Sequence, residues 1–137
     1  MTDPVGSAVD GVAAGAYVRF ESPVPLADGG RPGVFFLANS LAREGRLTAE
    51  QWAFWRAGND WFDAAYPTPD AAVYRQAGAV AWFKASATHL IERVPGYLRL
   101  LAAHGVECRE VWTDDPGRVV YEDAVQVVAV PDGAARG

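Results

Sequence analysis

The sequence predicts an α+β fold: a single small domain with a mainly antiparallel sheet of four or five strands and about three helices packed on one face. Three observations lead there. A strand–helix–strand pattern fills 78–112, from Gly78-Ala79-Val80-Ala81-Trp82-Phe83-Lys84 through an apolar-periodic run ending at His104-Gly105 to Val106–Trp112. Two further β-rich segments, 118–122 and 125–130, follow with turn residues between them, which reads as an antiparallel meander. The chain has 137 residues, half of them apolar, enough for one core.

In chain order, residues 1–15 read as a flexible lead. They carry Asp3 and Asp10 and no basic segment, so they are not a secretory signal. The domain is expected over 16–131, and 132–137 is a Gly/Ala-rich tail. Ala16–Glu21 alternates apolar and polar residues, as a half-buried strand does. Prolines and glycines from Pro23 to Gly33 make a loop, and Val34–Arg43 is a short helix with Phe35, Leu37, Ala38, Leu41 and Ala42 as its apolar positions.

Thr48-Ala49-Glu50-Gln51 has the form of a capping box. The helix it opens runs to about Tyr66, where Pro67 and Pro69 stop it. Trp52, Trp55, Asn59, Phe62 and Tyr66 recur along it at spacings of three and four, one stripe that is aromatic except for Asn59. In the central helix, Leu90, Ile91, Val94, Tyr97, Leu98 and Leu101 form the apolar stripe, with Ser86 as its expected N-cap. Pro95 interrupts it. The unbroken phase of the stripe favours a kink over two separate helices. Asp115-Pro116-Gly117-Arg118 has the residues of a type II turn, and predicts a hairpin between 106–112 and 118–122. Val125–Val130 is apolar on both faces, so it should be a central or doubly covered strand.

Trp82-Phe83-Lys84-Ala85-Ser86-Ala87, Asp115-Pro116-Gly117-Arg118-Val119-Val120-Tyr121-Glu122-Asp123 and Gln126-Val127-Val128-Ala129 together resemble a set of small bacterial proteins with no assigned activity. The resemblance covers roughly the second half of the chain. It implies a compact intracellular domain and carries over no site residue. Pro95 departs from it, because a better helix former is expected there.

The formal net charge of −5 opposes non-specific nucleic-acid binding, which needs a basic face, so no nucleic acid is expected as a partner. No segment has the length and purity of a membrane-spanning helix. A single cysteine, Cys108, cannot form an internal disulfide, which fits a reducing cytoplasm. No cofactor or metal motif is present: His89 and His104 lie too far apart on one helix to share a zinc, and the glycines before Val34 lack phosphate-loop spacing.

Three constellations remain. Lys84, Ser86, His89 and Arg93 lie where a strand runs into a helix N-terminus and could hold an anion; the plain alternative is a capping serine, a surface lysine and a boundary histidine. Asn59 and Asp63, with Arg56 and Asp60, sit among aromatics and could line a ligand pocket; otherwise Asn59 satisfies a loop backbone inside a core. Arg118, Tyr121, Glu122, Asp123, Asp114 and Asp115 cluster near turns, where local hydrogen bonding explains them better than a cation does.

The leading expectation is a non-catalytic protein-interaction or self-association module that uses Trp52, Trp55 and Trp61. The second is a small enzyme or ligand-binding domain for an anionic small molecule, a hydrolase or transferase. It would combine Lys84, His89 and Arg93 with Asn59 or Asp63.

Overall fold

The structure, a computed structural model, describes residues 15–27 and 29–131. Apart from Gly15, the expected lead and tail lie outside these residues. The chain folds as α+β and its contacts group into two units. One comprises the residues up to Arg19, Asp70–Ala87 and those from Glu110 onward; the other comprises Phe20–Pro69 and Thr88–Arg109.

The first unit is built on a five-stranded sheet. Its strands are β1 (Tyr17–Glu21), β2 (Val80–Lys84), β3 (Arg109–Thr113), β4 (Arg118–Glu122) and β5 (Gln126–Val130), in the spatial order β3-β1-β2-β5-β4. β1 pairs with β2, β2 with β5 and β5 with β4, all antiparallel; Trp82 lies opposite Val127 and Val80 opposite Ala129. All five residues of β5 are buried, as its two apolar faces demand, and it occupies an inner place in the sheet. The Pro/Ala-rich stretch before β2 contains a short 3₁₀ turn, Ala71–Arg75, opened by the Asp70 side chain accepting from the Ala72 N–H.

β4 and β5 form a hairpin whose turn is organised by one carboxylate. Asp123 Oδ1 accepts from the Val125 and Gln126 backbone N–H groups, and Oδ2 accepts from the Tyr121 hydroxyl and the Gln126 side-chain amide. The other expected hairpin is absent. β3 and β4 are consecutive in sequence but stand at opposite edges of the sheet. Asp115-Pro116-Gly117 therefore forms no reversal between paired strands. Asp115 Oδ1 instead accepts from the Gly117 N–H, an Asx turn within a crossing connection.

Residues 114–117 span both edges. β2 and β3 do share the sheet, but β1 lies between them. Cys108 falls just before β3, not inside it.

The second unit carries the helices α1 (Val34–Arg43), α2 (Ala49–Ala65), α3 (Thr88–Ile91) and α4 (Val94–Ala103). α1 ends at Arg43, followed by Glu44 as its C-cap and by Gly45 at φ +69°. α2 begins with the full capping box: the Gln51 N–H donates to Thr48 Oγ1, and Gln51 Oε1 accepts from the Thr48 N–H.

The central helix is broken, not kinked. α3 stops at Ile91 and α4 restarts at Val94, with Pro95 in its first turn. The carbonyl that Pro95 would address belongs to Ile91. With no N–H to offer and a ring crowding that oxygen, Pro95 suits a helix start better than an interior. Ser86 is not the N-cap, because it lies two residues before Thr88 in a turn closed by the Ala87 N–H and the Lys84 carbonyl. Leu90, Val94, Tyr97 and Leu101 are buried as predicted, whereas Leu98 is half-exposed and Leu100 takes a core place.

Gly117 has φ +109°, and a Cβ there would run into the Val130 carbonyl and the Pro131 backbone. Replacing Gly117 with Val is expected to cost more than about 1 kcal/mol, since positive φ and a backbone clash act together. The midpoint of chemical denaturation reads this, and an unchanged midpoint would show that the connection adopts another conformation.

Candidate functional site

The most developed side-chain arrangement joins α1, α2 and α4 within the second unit. Trp55 Nε1 donates to Asn39 Oδ1 at 2.8 Å, and Asn59 Nδ2 donates to the same oxygen at 3.0 Å. The Tyr97 hydroxyl then donates to Asn59 Oδ1 at 2.7 Å. An indole N–H can only donate, so it fixes which end of the Asn39 amide faces Trp55. That in turn orients Asn59 and makes the Tyr97 hydroxyl a donor.

Tyr97 is 1% exposed, with its ring edge-to-face against Phe35, Phe54 and Phe62 at centroid distances of 5.2, 5.4 and 5.9 Å. Its hydroxyl passes over Gly58, where an added Cβ would lie 2.5 Å from the oxygen. A glycine in the middle of α2 costs helix stability, and here it makes room for this bond. Burial, followed by the Asp63 carboxylate, pushes the Tyr97 pKa from 10.0 up to about 12, against the opposing pull of Arg56 and Arg93. The phenol therefore remains a donor throughout the neutral range.

Beside this network lies a half-open hollow of about 190 Å³, lined by Phe35, Asn39, Asn59, Phe62, Asp63, Tyr66 and Thr68. Asn59 and Asp63, singled out in the sequence, thus come together. Asn39 was missed. The signal for it was the same as for Asn59, a polar amide in the phase of an apolar helix face, four residues after Phe35. A second polar clasp joins α2 to the end of α4. His104 Nε2 lies 2.9 Å from Gln51 Oε1, the oxygen already accepting from Thr48, so the ring nitrogen must donate.

The four residues of the predicted anion site fall in both units. Lys84 Nζ is 2.6 Å from the Glu122 carboxylate, within the first unit. Ser86, in the same unit, is exposed in its turn. His89 and Arg93 belong to the second unit; His89 is exposed, and the Arg93 guanidinium lies over the Trp61 ring at 3.8 Å. Both side-chain cations of this group already have partners, and no common helix flank carries the four.

Of the three predicted interface tryptophans, only Trp52 is widely exposed, at 50%. Trp55 is half-buried on Asn39 with Arg56 over its ring, and Trp61 is covered by Arg93 and packs against Phe62. Phe36 on α1 and Phe54 on α2 are exposed instead, at 52% and 40%.

Near the turns, Asp114 accepts from the Ala16 N–H and Asp115 from Gly117, while Asp123 holds the hairpin. Among the described residues no group of three or more His, Cys, Asp and Glu side chains is placed to hold a metal ion. No described helix is long and apolar enough to cross a membrane.

No protein-family model matches the sequence, and comparisons with curated proteins and with solved structures find no match either.

Two titrations test this chemistry. Tyr97 should ionise only near pH 12, and Tyr97→Phe should abolish a step in tyrosinate absorbance there. Because the folded pKa is raised, the associated stability is complete below pH 10.0 and is lost as pH rises toward about 12. The same substitution leaves Asn59 Oδ1 without its donor and should cost about 1–3 kcal/mol at neutral pH. Asp123 shifts the other way. Burial raises its carboxyl, but four hydrogen bonds outweigh burial and hold it below the ordinary carboxylate value. Its contribution is present above that ordinary value and lost as pH falls through the lower folded one, so Asp123→Asn should flatten the acid limb of the stability profile.

Proposed function

We propose that this chain is a non-catalytic protein-binding module whose contact surface is the exposed aromatic part of α2. The observation that carries the reading is the 50% exposure of Trp52 on a helix whose other tryptophans are held by internal partners; Phe54, 40% exposed, lies on the opposite flank against the Tyr97 ring. Tryptophan and other large aromatics anchor protein interfaces because each buries a large rigid area at small entropic cost. Phe36 on α1 adds a further exposed ring within the same unit. Cys108, half-buried and outside any disulfide, accords with a reducing compartment, and the cytoplasm is the location proposed.

A second copy of the chain is the first partner to test. Light scattering over a concentration series should show mass rising with concentration, and Trp52→Ala should abolish that rise. As a surface residue, Trp52 should cost less than about 0.5 kcal/mol of folding stability when replaced by Ala. A strict monomer throughout the series removes self-association. A stability loss above about 2 kcal/mol would assign Trp52 to the core and end the surface reading.

A further inference from the structure

The hollow beside Asn39 and Asn59 has a chemical preference of its own, independent of the α2 surface. Its walls are the rings of Phe35, Phe62 and Tyr66. Its volume of about 190 Å³ corresponds to roughly six waters at about 30 Å³ each, which suits a molecule of similarly few non-hydrogen atoms.

Hydrogen-bonding capacity is left over in it. Asn39 Oδ1 is filled by two donors, but its Nδ2 gives no bond among the described residues. Asn59 Nδ2 gives one N–H to Asn39 and retains the other. Neither amide can flip, because the Trp55 indole dictates the order of the chain.

Charge completes the description. Asp63 is the one ionisable carboxylate in the lining, it is exposed, and it forms no ion pair among the described residues. The nearby arginines have other partners: Arg56 pairs with Asp60 at 2.9 Å and Arg93 covers Trp61. Arg56 and Arg93 both act on the nearby Tyr97 hydroxyl, but Asp63 is the charged group of the lining itself and favours a cation there over an anion. Aromatic rings and a carboxylate together attract an alkylammonium group, through ring quadrupole and charge alike.

We infer that the hollow binds a small organic cation, with its ammonium group between Asp63 and the rings of Phe35, Phe62 and Tyr66. The ligand's neutral oxygen is received by the spare amide N–H groups of Asn39 and Asn59.

Choline is the probe, titrated into the isotopically labelled full chain at constant ionic strength while the side-chain amide resonances of Asn39 and Asn59 are followed. Saturable shifts of both are expected, with a dissociation constant of about 1–10 mM, the range open to so small a ligand. 3,3-Dimethylbutan-1-ol, the same shape without the charge, should bind at least about fivefold more weakly if the cation is what is recognised. Asp63→Asn should weaken choline about tenfold, whereas Glu50→Gln, which removes an exposed carboxylate at the start of α2 outside the lining, should leave binding unchanged. The inference is overturned by absent shifts, by equal binding of the alcohol, or by Asp63→Asn binding choline like the unmodified chain. Because the alcohol is tested on the unmodified protein, the result does not depend on either variant folding.

Discussion

The indole N–H of Trp55, aimed at the carbonyl oxygen of Asn39, sets the order of everything polar in the helical unit. It is the one member of the network that cannot reverse its role. With Asn39 oriented by it, Asn59 must present its N–H₂ to Asn39 and its oxygen to Tyr97, and Tyr97 must keep its proton. Three helices are tied by three bonds, each of which contributes only about 0.5–1.5 kcal/mol net. Their larger effect is specificity. A slip of α1 along α2 would strip two half-buried amides of these partners. The same ordering leaves the spare N–H groups beside the hollow.

In the sheet the corresponding constraint is β5. A strand with every residue buried can occupy only an inner position, so β2 and β4 must flank it. That leaves β3 to seek an edge elsewhere, and it finds one beside β1. The short connection from β3 to β4 then joins the two edges. The sequence displayed the two apolar faces of Val125–Val130 plainly. It did not display their consequence, because strand choice is decided by pairing between distant segments, whereas turn residues advertise only local reversal. Asp115-Pro116-Gly117 was read correctly as a turn with positive φ at Gly117 and wrongly as a hairpin for that reason.

Legibility elsewhere followed the same division. Thr48 and Gln51 lie within one helical turn and satisfy one another, so the start of α2 could be read to the residue. Pro95 announced a disruption, but kink and break differ only in whether Ile91 ends a helix, and the apolar stripe keeps its phase either way. Asn59 stood out as a lone amide among aromatics. Asn39 was hidden by the short length of α1, where one polar residue on a flank is unremarked. For Lys84, His89 and Arg93 the sequence shows charges without their partners: Glu122 takes Lys84, and the Trp61 ring takes Arg93. Nothing local to any of the three foretold those partners.

α2 itself joins these threads. It has 17 residues, five of them aromatic, yet only Phe62 is fully buried. A helix so apolar would ordinarily be fastened by burial, at about 25 cal/mol per Å² of apolar surface. Here the fastening is largely polar: a capping box, a histidine clasp at one end and the amide network midway. Polar bonds hold position while releasing little apolar area from water, so Trp52 and Phe54 keep surface still to be covered. A partner laid over the Trp52 flank would supply burial that the fold leaves undone there.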